Sequence, residues 1–199
     1  MTGEIFPGHF FTFMILKFTS PIPPSVNHYL GWRAVMMHGH PTVVSYQTKE
    51  AKEYKEVLRK IVQESVREQC FVPDEIENRH YYVDCVFYFA RIDQDSSNYD
   101  KCLLDAITDT KLIWNDDNAA LVRTQGVFYD KQNPRIEIEI RPVDYIGIFK
   151  SMREKDDFCS QCALCTRGNR VCSIRSDAVA GRVSDLIECG QCKKFKKKK

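Results

Sequence analysis

The sequence predicts an α/β (α+β) protein in which a mixed β-sheet packs against two helices and a small cysteine-rich metal-binding module follows. Three patterns carry this prediction: an aromatic and β-branched run at 81–91, an amphipathic pattern at 48–68, and six of the nine cysteines in the last 41 residues. A length of 199 residues suits one main domain and a small appendage. The boundaries are placed at 1–145 for the main domain, 146–158 for a polar linker and 159–199 for the module.

The first half of the main domain contains one strand and one helix with clear patterns. Residues 10–19 predict an opening strand, which a proline cluster ends. Residues 25–47 predict a loop, with a short strand at 42–44. Residues 48–68 predict an amphipathic helix, because six apolar residues recur at helical spacing. These residues are Ala51, Tyr54, Leu58, Ile61, Val62 and Val66.

The second half of the main domain supplies the rest of the sheet. Residues 81–91 predict a central strand, and 98–109 predict a second helix with Leu103, Leu104 and Ile107 on its buried face. Residues 120–129 and 135–141 predict a hairpin. Isoleucines alternate with charged residues in its second strand, which indicates that one face of that strand is solvated.

Charge and hydropathy exclude some classes of protein. The net charge is +2, and six lysines lie among the last seven residues. This tail is typical of a solvated segment that contacts phosphates without regard to sequence. No run reaches the roughly 20 apolar residues of a membrane span, and no secretory signal is evident. A cytoplasmic protein with reduced cysteines and no membrane partner is therefore predicted.

The most informative stretch is 93–117. Asp93 and Asp95 precede the second helix, Lys101 lies on its first turn, and Asp116 and Asp117 follow it. Magnesium prefers oxygen ligands, usually one or two carboxylates together with water and substrate phosphate. A nearby lysine stabilises charge that develops on phosphorus. The pattern predicts a Mg²⁺-dependent phosphodiesterase, with both acidic clusters at one edge of the sheet.

Structural roles explain the same residues separately. Asp95 and Ser97 are typical of turns and N-caps before a helix. Residues 116–118 fit an ordinary polar turn. Asp105 lies four residues after Lys101, which is the spacing of an ion pair on one helix face.

The stretch also resembles a known family, the RusA-type Holliday junction resolvases, which are metal-dependent endonucleases common in prophages. The family pattern is Asp-x-Asp-Asn-x-x-Lys-x-x-x-Asp-Ala-Leu, followed by Asp-Asp. Here it corresponds to 95–107 and then 116–117, and 23–27 is similar to the family's Pro-Pro-Ser-x-Asn segment. The resemblance covers about 12–142. Ser97 stands where the family has its second acid; alternatively Asp93 and Asp95 form the pair.

The resemblance implies a homodimer that binds four-way DNA junctions and makes paired nicks during DNA recombination and repair. It implies Mg²⁺-assisted attack of water, with 5′-phosphate and 3′-hydroxyl products. The implied metal ligands are Asp95 and Asp117, with Asp93 as a substitute. Asp116 is an implied ligand or water-orienting base, and Lys101 an implied transition-state stabiliser. Two asparagines are implied to position a phosphate or the loop, namely Asn27 and Asn98.

The cysteine-rich segment predicts a zinc ribbon. Two CxxC turns, Cys162–Cys165 and Cys189–Cys192, have the spacing of a four-thiolate structural zinc site. Cys159 and Cys172 are alternative ligands. Three cysteines spaced as CxxCxxC from 159 to 165 also permit an iron–sulfur cluster. The segment has few large apolar residues, so it needs a metal to fold.

Two further functions compete with a nuclease. The first is a catalytically impaired nucleic-acid-binding protein with a resolvase-like body and a zinc ribbon, which Ser97 in place of an acid favours. Cleavage of a four-way junction, rather than binding alone, distinguishes it from an enzyme. The second is a transcription regulator that uses the ribbon and recognises duplex sequence.

Overall fold

The computed structural model describes residues 15–74, 79–167, 170–188 and 191–198. Two 3-10 turns, Ser96–Asn98 and Asp117–Ala119, lie on either side of the helix Asp100–Thr108. The strands and helices of the described ranges, in chain order, are β1 (Leu16–Ser20), α1 (Val26–Tyr29), β2 (Leu30–Met37), β3 (His40–Gln47), α2 (Lys49–Glu68), β4 (Tyr81–Phe89), α3 (Asp100–Thr108), β5 (Ala120–Tyr129), β6 (Arg135–Pro142), α4 (Met152–Phe158), β7 (Thr166–Arg167), β8 (Arg170–Val171), α5 (Ser173–Val179), β9 (Ile187–Glu188) and β10 (Gln191–Cys192).

Strand β4 lies inside a four-stranded sheet with the order β1-β6-β4-β5. It pairs parallel with β5 and antiparallel with β6, so the sheet is mixed, as the sequence predicts. Every second residue of β4 is buried from Tyr81 to Phe89. Successive side chains of a strand point to opposite faces, so this alternation marks the face that packs against helices.

The predicted hairpin between 120–129 and 135–141 is wrong. Both strands exist, as β5 and β6, but they pair with opposite edges of β4 and not with each other. Strand β4 has backbone N–H and C=O groups along two edges, and these buried groups need partners on both sides. The parallel pairing of β4 with β5 requires a crossover connection, which α3 supplies.

The two predicted helices are confirmed as α2 and α3, and both pack into one core with the sheet. Helix α2 begins after Thr48, whose hydroxyl accepts a hydrogen bond from the Ala51 amide at 3.2 Å. It buries Ala51, Tyr54, Leu58 and Val62. Helix α3 is shorter than predicted because a 3-10 turn precedes it. None of the described helices has the length and apolar character that a membrane span requires.

The predicted loop at 25–47 is largely a β-hairpin. Strands β2 and β3 pair along their whole length, from Leu30 opposite Gln47 to Met37 opposite His40. Its two turn residues, His38 and Gly39, have φ angles of 51° and 80°. Tight two-residue hairpin turns need such left-handed backbone. Histidine at the first turn position gives a weak sequence signal, which explains why the hairpin was not predicted.

The predicted linker at 146–158 contains ordered structure. Ile146 and Phe149 are buried, and the linker's second half forms α4. The amide of Ile148 donates to the carbonyl of Ala178 in α5 at 3.0 Å. Gly147 lies at this contact with φ +56°. The segment therefore packs directly against the cysteine-rich part of the chain.

Replacement of Gly147 is expected to destabilise this contact. A Cβ at Gly147 would overlap the carbonyl oxygen of Ala178, whereas a Cβ at Gly39 would meet nothing within 4 Å. Both glycines have left-handed backbone, so both alanine variants carry the same conformational cost. Gly147→Ala should therefore lose about 1–3 kcal/mol more unfolding free energy than Gly39→Ala. Urea denaturation measures the difference, and equal losses would contradict the packing argument.

Candidate active site

The first acidic cluster follows the end of β4. Asp95 caps the turn Ser96–Asn98, because its Oδ1 accepts hydrogen bonds from the amide and hydroxyl of Ser97, each at 3.0 Å. Asp93 is 72% exposed and forms an ion pair with Arg91 at 3.3 Å. Asp95 therefore shapes the entrance to α3, and its N-cap role is confirmed. Asp93 points to a neighbouring arginine instead.

Lys101 joins helix α3 to the second acidic cluster. Its ammonium lies 2.9 Å from Asp105 Oδ1 and 2.7 Å from Asp117 Oδ2. Hydrogen bonds to these two carboxylates raise the pKa of Lys101, and the Lys101 ammonium lowers the pKa of Asp117. The predicted i,i+4 pair with Asp105 is confirmed. Lys101 is consequently a permanent cation between two anions at physiological pH.

Asp116 has a capping role that parallels that of Asp95. Its Oδ1 accepts a hydrogen bond from the Asn118 amide at 3.0 Å, which starts the turn Asp117–Ala119. Its side chain is exposed. The turn thus presents Asp117 to Lys101, while the neighbouring Asp116 is exposed to solvent.

The sequence pattern predicted that both acidic clusters lie at one edge of the sheet. The sheet alone does not bring them together. Asp95 follows the end of β4, whereas Asp116 and Asp117 precede β5, whose first residue pairs with Tyr81 at the start of β4. Parallel strands start at the same end of a sheet, so the clusters belong to opposite ends of this strand pair. Helix α3 runs back between them, and Lys101 makes the connection.

Asp100, the first residue of α3, is a candidate site residue that the sequence pattern did not reveal. Its Oδ1 is shielded from solvent and has no hydrogen-bond partner among the described residues. Burial, together with repulsion from Asp95, raises the pKa of Asp100 to about 6. A usable signal was the serine at 97, since a missing acid suggests a substitute close by.

The Asp100→Asn variant should show a pH-dependent gain in stability. A raised carboxyl pKa means that the folded state holds the proton more tightly, so this stabilisation is complete below about pH 4 and is lost as the pH rises through about 6. The neutral asparagine avoids that loss. In EDTA, its Tm should exceed that of the wild type at pH 8, with a smaller difference at pH 5. Asp177→Asn is the control, and a pH-independent difference would contradict the prediction.

The carboxylates are arranged as pairs. Across the ranges that the structure describes, no group of three or more His, Cys, Asp or Glu side chains is placed to hold a metal ion. Magnesium needs only one or two protein carboxylates when water and phosphate complete its shell. Asp95 with Asp100, and Asp116 with Asp117, each meet that requirement. The orphaned Oδ1 of Asp100 makes the first pair the better fit.

The two predicted asparagines lie on different elements. Asn27 is exposed in α1, and Asn98 is half-buried at the end of the turn that Asp95 caps. Helix α1 is tied to the site through its buried last residue, Tyr29, whose hydroxyl donates to Asp105 Oδ2. Burial and this bond to Asp105 raise the Tyr29 pKa. The sequence pattern missed Tyr29, because a contact across 76 residues leaves no local spacing signal.

The cysteine-rich segment forms a small core of its own. Cys159, Cys162 and Cys165 are each 5–6% exposed and pack with Phe158 and Leu164. The guanidinium of Arg175 donates to Cys165 Sγ at 3.3 Å. The three thiols thus form most of the core of a segment that has few large apolar residues.

The backbone around these thiols favours a thiolate at one position. Residues 161–163 lie beside 196–198, with the amide of Ala163 donating to the carbonyl of Lys196 at 2.6 Å. Backbone N–H groups, that of Lys196 foremost, lower the pKa of Cys162. Burial raises the pKa of Cys159 to about 12. The polar backbone therefore favours ionisation of Cys162 and burial opposes that of Cys159.

The predicted zinc ligands are only partly brought together. Cys162 and Cys165 belong to the buried cluster, together with the alternative ligand Cys159. Cys192 and Cys172 are half-buried, and Cys189 lies outside the described residues. The absence of a three-ligand group applies here too, within the described part of the segment. Zinc binding stays a prediction.

Comparison with known proteins identifies the main domain. A family model described as "Endodeoxyribonuclease RusA" matches residues 21–141, which include Tyr29, Lys101 and both acidic clusters. No match is found among curated proteins. The matched range covers more than half of the 199 residues. Over residues 21–141, the chain belongs to the RusA endodeoxyribonuclease family.

Proposed function

We propose that the protein is a Mg²⁺-dependent, structure-selective endonuclease that resolves Holliday junctions or related branched DNA by paired nicks. Membership of the family makes it an endodeoxyribonuclease, a hydrolase of phosphodiester bonds. The observation that best supports the finer proposal is the position of Lys101, whose ammonium contacts both Asp105 and Asp117. A fixed cation among carboxylates suits a site that must stabilise a phosphorane.

The roles of the residues follow from their contacts. Bound Mg²⁺ supplies a Lewis acid for the scissile phosphate. Asp95, together with Asp100, would provide carboxylate oxygens for the metal. Asp117 would hold the Lys101 ammonium in place, and the exposed Asp116 would orient the attacking water. Lys101 donates hydrogen bonds to the phosphate oxygens, on which negative charge grows in the transition state. Water attacks in line, the P–O3′ bond breaks, and 5′-phosphate and 3′-hydroxyl ends result.

Asp100 supplies the second carboxylate in place of the acid that Ser97 replaces. Its Oδ1 is buried without a hydrogen-bond partner, which is costly unless a ligand satisfies it. Its charged form is opposed by burial and by Asp95, and a divalent cation between the two carboxylates would remove that opposition. Asp100 is thereby a ligand for the same metal as Asp95.

Tyr29 and Asp105 act as positioning residues. Tyr29 donates to one oxygen of Asp105, and Lys101 donates to the other. This chain of bonds fixes the direction in which the Lys101 ammonium points. It also connects the site to α1, which carries the proposed phosphate ligand Asn27.

The proposal is tested with a synthetic four-way junction and a linear duplex of the same sequence. Cleavage of the junction should require Mg²⁺ or Mn²⁺, should stop in EDTA, and should leave the duplex intact. Denaturing gels should show symmetric nicks in opposing strands. Failure to cleave in either metal would contradict the enzymatic proposal.

A catalytically impaired nucleic-acid-binding protein is the second candidate. The described carboxylates form no three-ligand group, and Lys101 and Asp117 neutralise each other in an ion pair. Both facts fit a site that no longer holds metal. Binding of the junction without cleavage in the same experiment would favour this candidate.

Two associated properties complete the proposal. Paired nicks need two active sites, so the protein acts as a homodimer. The cysteine-rich segment binds one structural zinc ion through Cys162, Cys165, Cys189 and Cys192, with Cys159 and Cys172 as alternative ligands. The buried thiol cluster and the lowered pKa of Cys162 support metal binding. Elemental analysis should find about one zinc per chain. If it finds iron and sulfide instead, the segment binds an iron–sulfur cluster and the zinc proposal is wrong.

A further inference from the structure

The hairpin of β2 and β3 stands apart from the main sheet. Within the described ranges, its strands form a separate two-stranded sheet. At the usual rise per residue, eight residues per strand give it a length of about 27 Å. No residue of either strand is fully buried. An isolated two-stranded hairpin is marginally stable in water, so a hairpin of this length without cover indicates a surface made for contact.

One face of this hairpin is apolar. Residues directly opposite in an antiparallel pair share a face, and the pairs here are Trp32 with Ser45, Ala34 with Val43, and Met36 with Pro41. The exposed fractions are 68% for Trp32, 69% for Met36 and 67% for Val43. Contiguous exposed apolar residues of this kind mark an interaction site.

The charge of the same region suits a polyanion. Residues 15–49 contain no aspartate and no glutamate, although the chain has 27 of them in all. The hairpin itself carries Arg33, whose guanidinium lies 5.7 Å from the centre of the Tyr46 ring. Three of the five histidines also fall within 15–49. Phosphates can therefore approach this part of the surface without repulsion from its own carboxylates.

The base of the hairpin is fastened to the candidate active site. Gln47 is the last residue of β3, and its side-chain Nε2 donates a hydrogen bond to the hydroxyl of Tyr29 at 3.3 Å. That hydroxyl donates to Asp105, which pairs with Lys101. Thr48 also donates its hydroxyl to the carbonyl of His28 at 2.8 Å. The hairpin thus extends from the catalytic lysine by a continuous chain of hydrogen bonds.

We propose that the apolar face of this hairpin binds the branch point of the DNA substrate, with Trp32 stacked on an unpaired or unstacked base. The inference rests on the proposed function, because it concerns the same substrate. Apolar side chains gain little from the phosphate exterior of duplex DNA, but they insert between unstacked bases and stack on them. The face would therefore discriminate a branch from a duplex, and the hairpin's base would place Lys101 at a fixed distance from it.

Replacement of Trp32 tests the stacking. Binding is measured by fluorescence anisotropy in EDTA, with a labelled four-way junction and with a duplex. Trp32→Ala should weaken junction binding about 5- to 100-fold, which is the loss expected for one stacked base, and should barely change duplex binding. Trp32→Phe should restore most of the affinity. A fluorescent base analogue at the branch point should report less unstacking when Trp32→Ala binds than when the wild type binds.

A charge test separates DNA from a second copy of the chain as the occupant. Val43 and Val72 have nearly equal exposure, 67% and 65%, but only Val43 lies on the hairpin. Val43→Glu should impair junction binding, whereas Val72→Glu should not. Sedimentation velocity should give the same oligomeric state for both variants.

Three outcomes would overturn the inference that the hairpin binds the branch point. A dimer that dissociates in Val43→Glu would make this face an interface between copies of the chain and would overturn the inference. If Trp32→Ala cleaves and binds the junction as the wild type does, the inference is overturned but the proposed function stands. A wild-type protein that fails to bind the junction would overturn the proposed function and the inference together.

Discussion

Asp95→Asn is expected to reduce junction cleavage by roughly 10³-fold, which corresponds to about 4 kcal/mol of transition-state stabilisation. Asparagine caps a turn as well as aspartate does, so its Oδ1 still accepts from the Ser97 amide and the entrance to α3 stays in place. The variant therefore removes charge without removing structure. Binding of the junction should persist, because one source of repulsion for phosphates is lost.

The control and the comparison variants sharpen this result. Asp177→Asn changes a carboxylate that pairs with Arg182 in the C-terminal part of the chain, and it should cleave normally. Asp117→Asn should match Asp95→Asn in single-turnover cleavage. A loss confined to Asp93→Asn would instead make Asp93 the ligand, and wild-type rates in both Asp95 and Asp117 variants would refute the site.

Lys101→Ala should slow the chemical step by about 10²- to 10³-fold, as expected when one charged stabiliser of the transition state is removed. The structure adds a second effect. Asp117 would lose the ammonium that lowers its pKa, so its carboxyl would bind a proton more readily and activity would fall further at acidic pH. Single-turnover rates at saturating protein, measured from about pH 4 to about pH 8, report both effects, because an unperturbed aspartate titrates near the acidic end of this range.

A matched lysine provides the control for this variant. Lys17 is also exposed and ion-paired, to Glu139 on the sheet, but it lies outside the candidate site. Lys17→Ala should leave the single-turnover rate unchanged. An effect of Lys101→Ala on junction affinity alone, with a normal rate of cleavage, would reduce Lys101 to a phosphate contact.

The elements that the sequence predicts well are those whose pattern is local. Helix α2 shows its buried stripe at helical spacing, and β4 shows alternation over nine residues. Each pattern arises because one face of the element meets the core, so it is present in the residues themselves. Pairing is different, because β6 would show the same alternation whichever strand it joined. The pairing is seen only in the folded sheet, in which β5 and β6 occupy opposite edges of β4.

The candidate site shows the same division. Asp95, Lys101, Asp116 and Asp117 occur in the order of the family pattern, and the pair of Lys101 with Asp105 follows from their separation of four residues on one helix. The contact of Lys101 with Asp117 depends on how the crossover returns to the sheet. The environment of Asp100 depends on which neighbours exclude water from its Oδ1. Neither the Lys101–Asp117 contact nor the environment of Asp100 can be predicted from the spacing of residues in the sequence.

By itself, the sequence determined the family over residues 21–141, the helices α2 and α3 and the central strand, and it supplied the acidic candidates for the site. The tertiary structure decided the strand order, the docking of 146–149 on α5, and the bond from Tyr29 to Asp105 across 76 residues. Periodicity records the burial of one face, which is a local property. Strand partners, desolvation and long-range hydrogen bonds depend on the whole chain closing around them, and so they exist only in the folded protein.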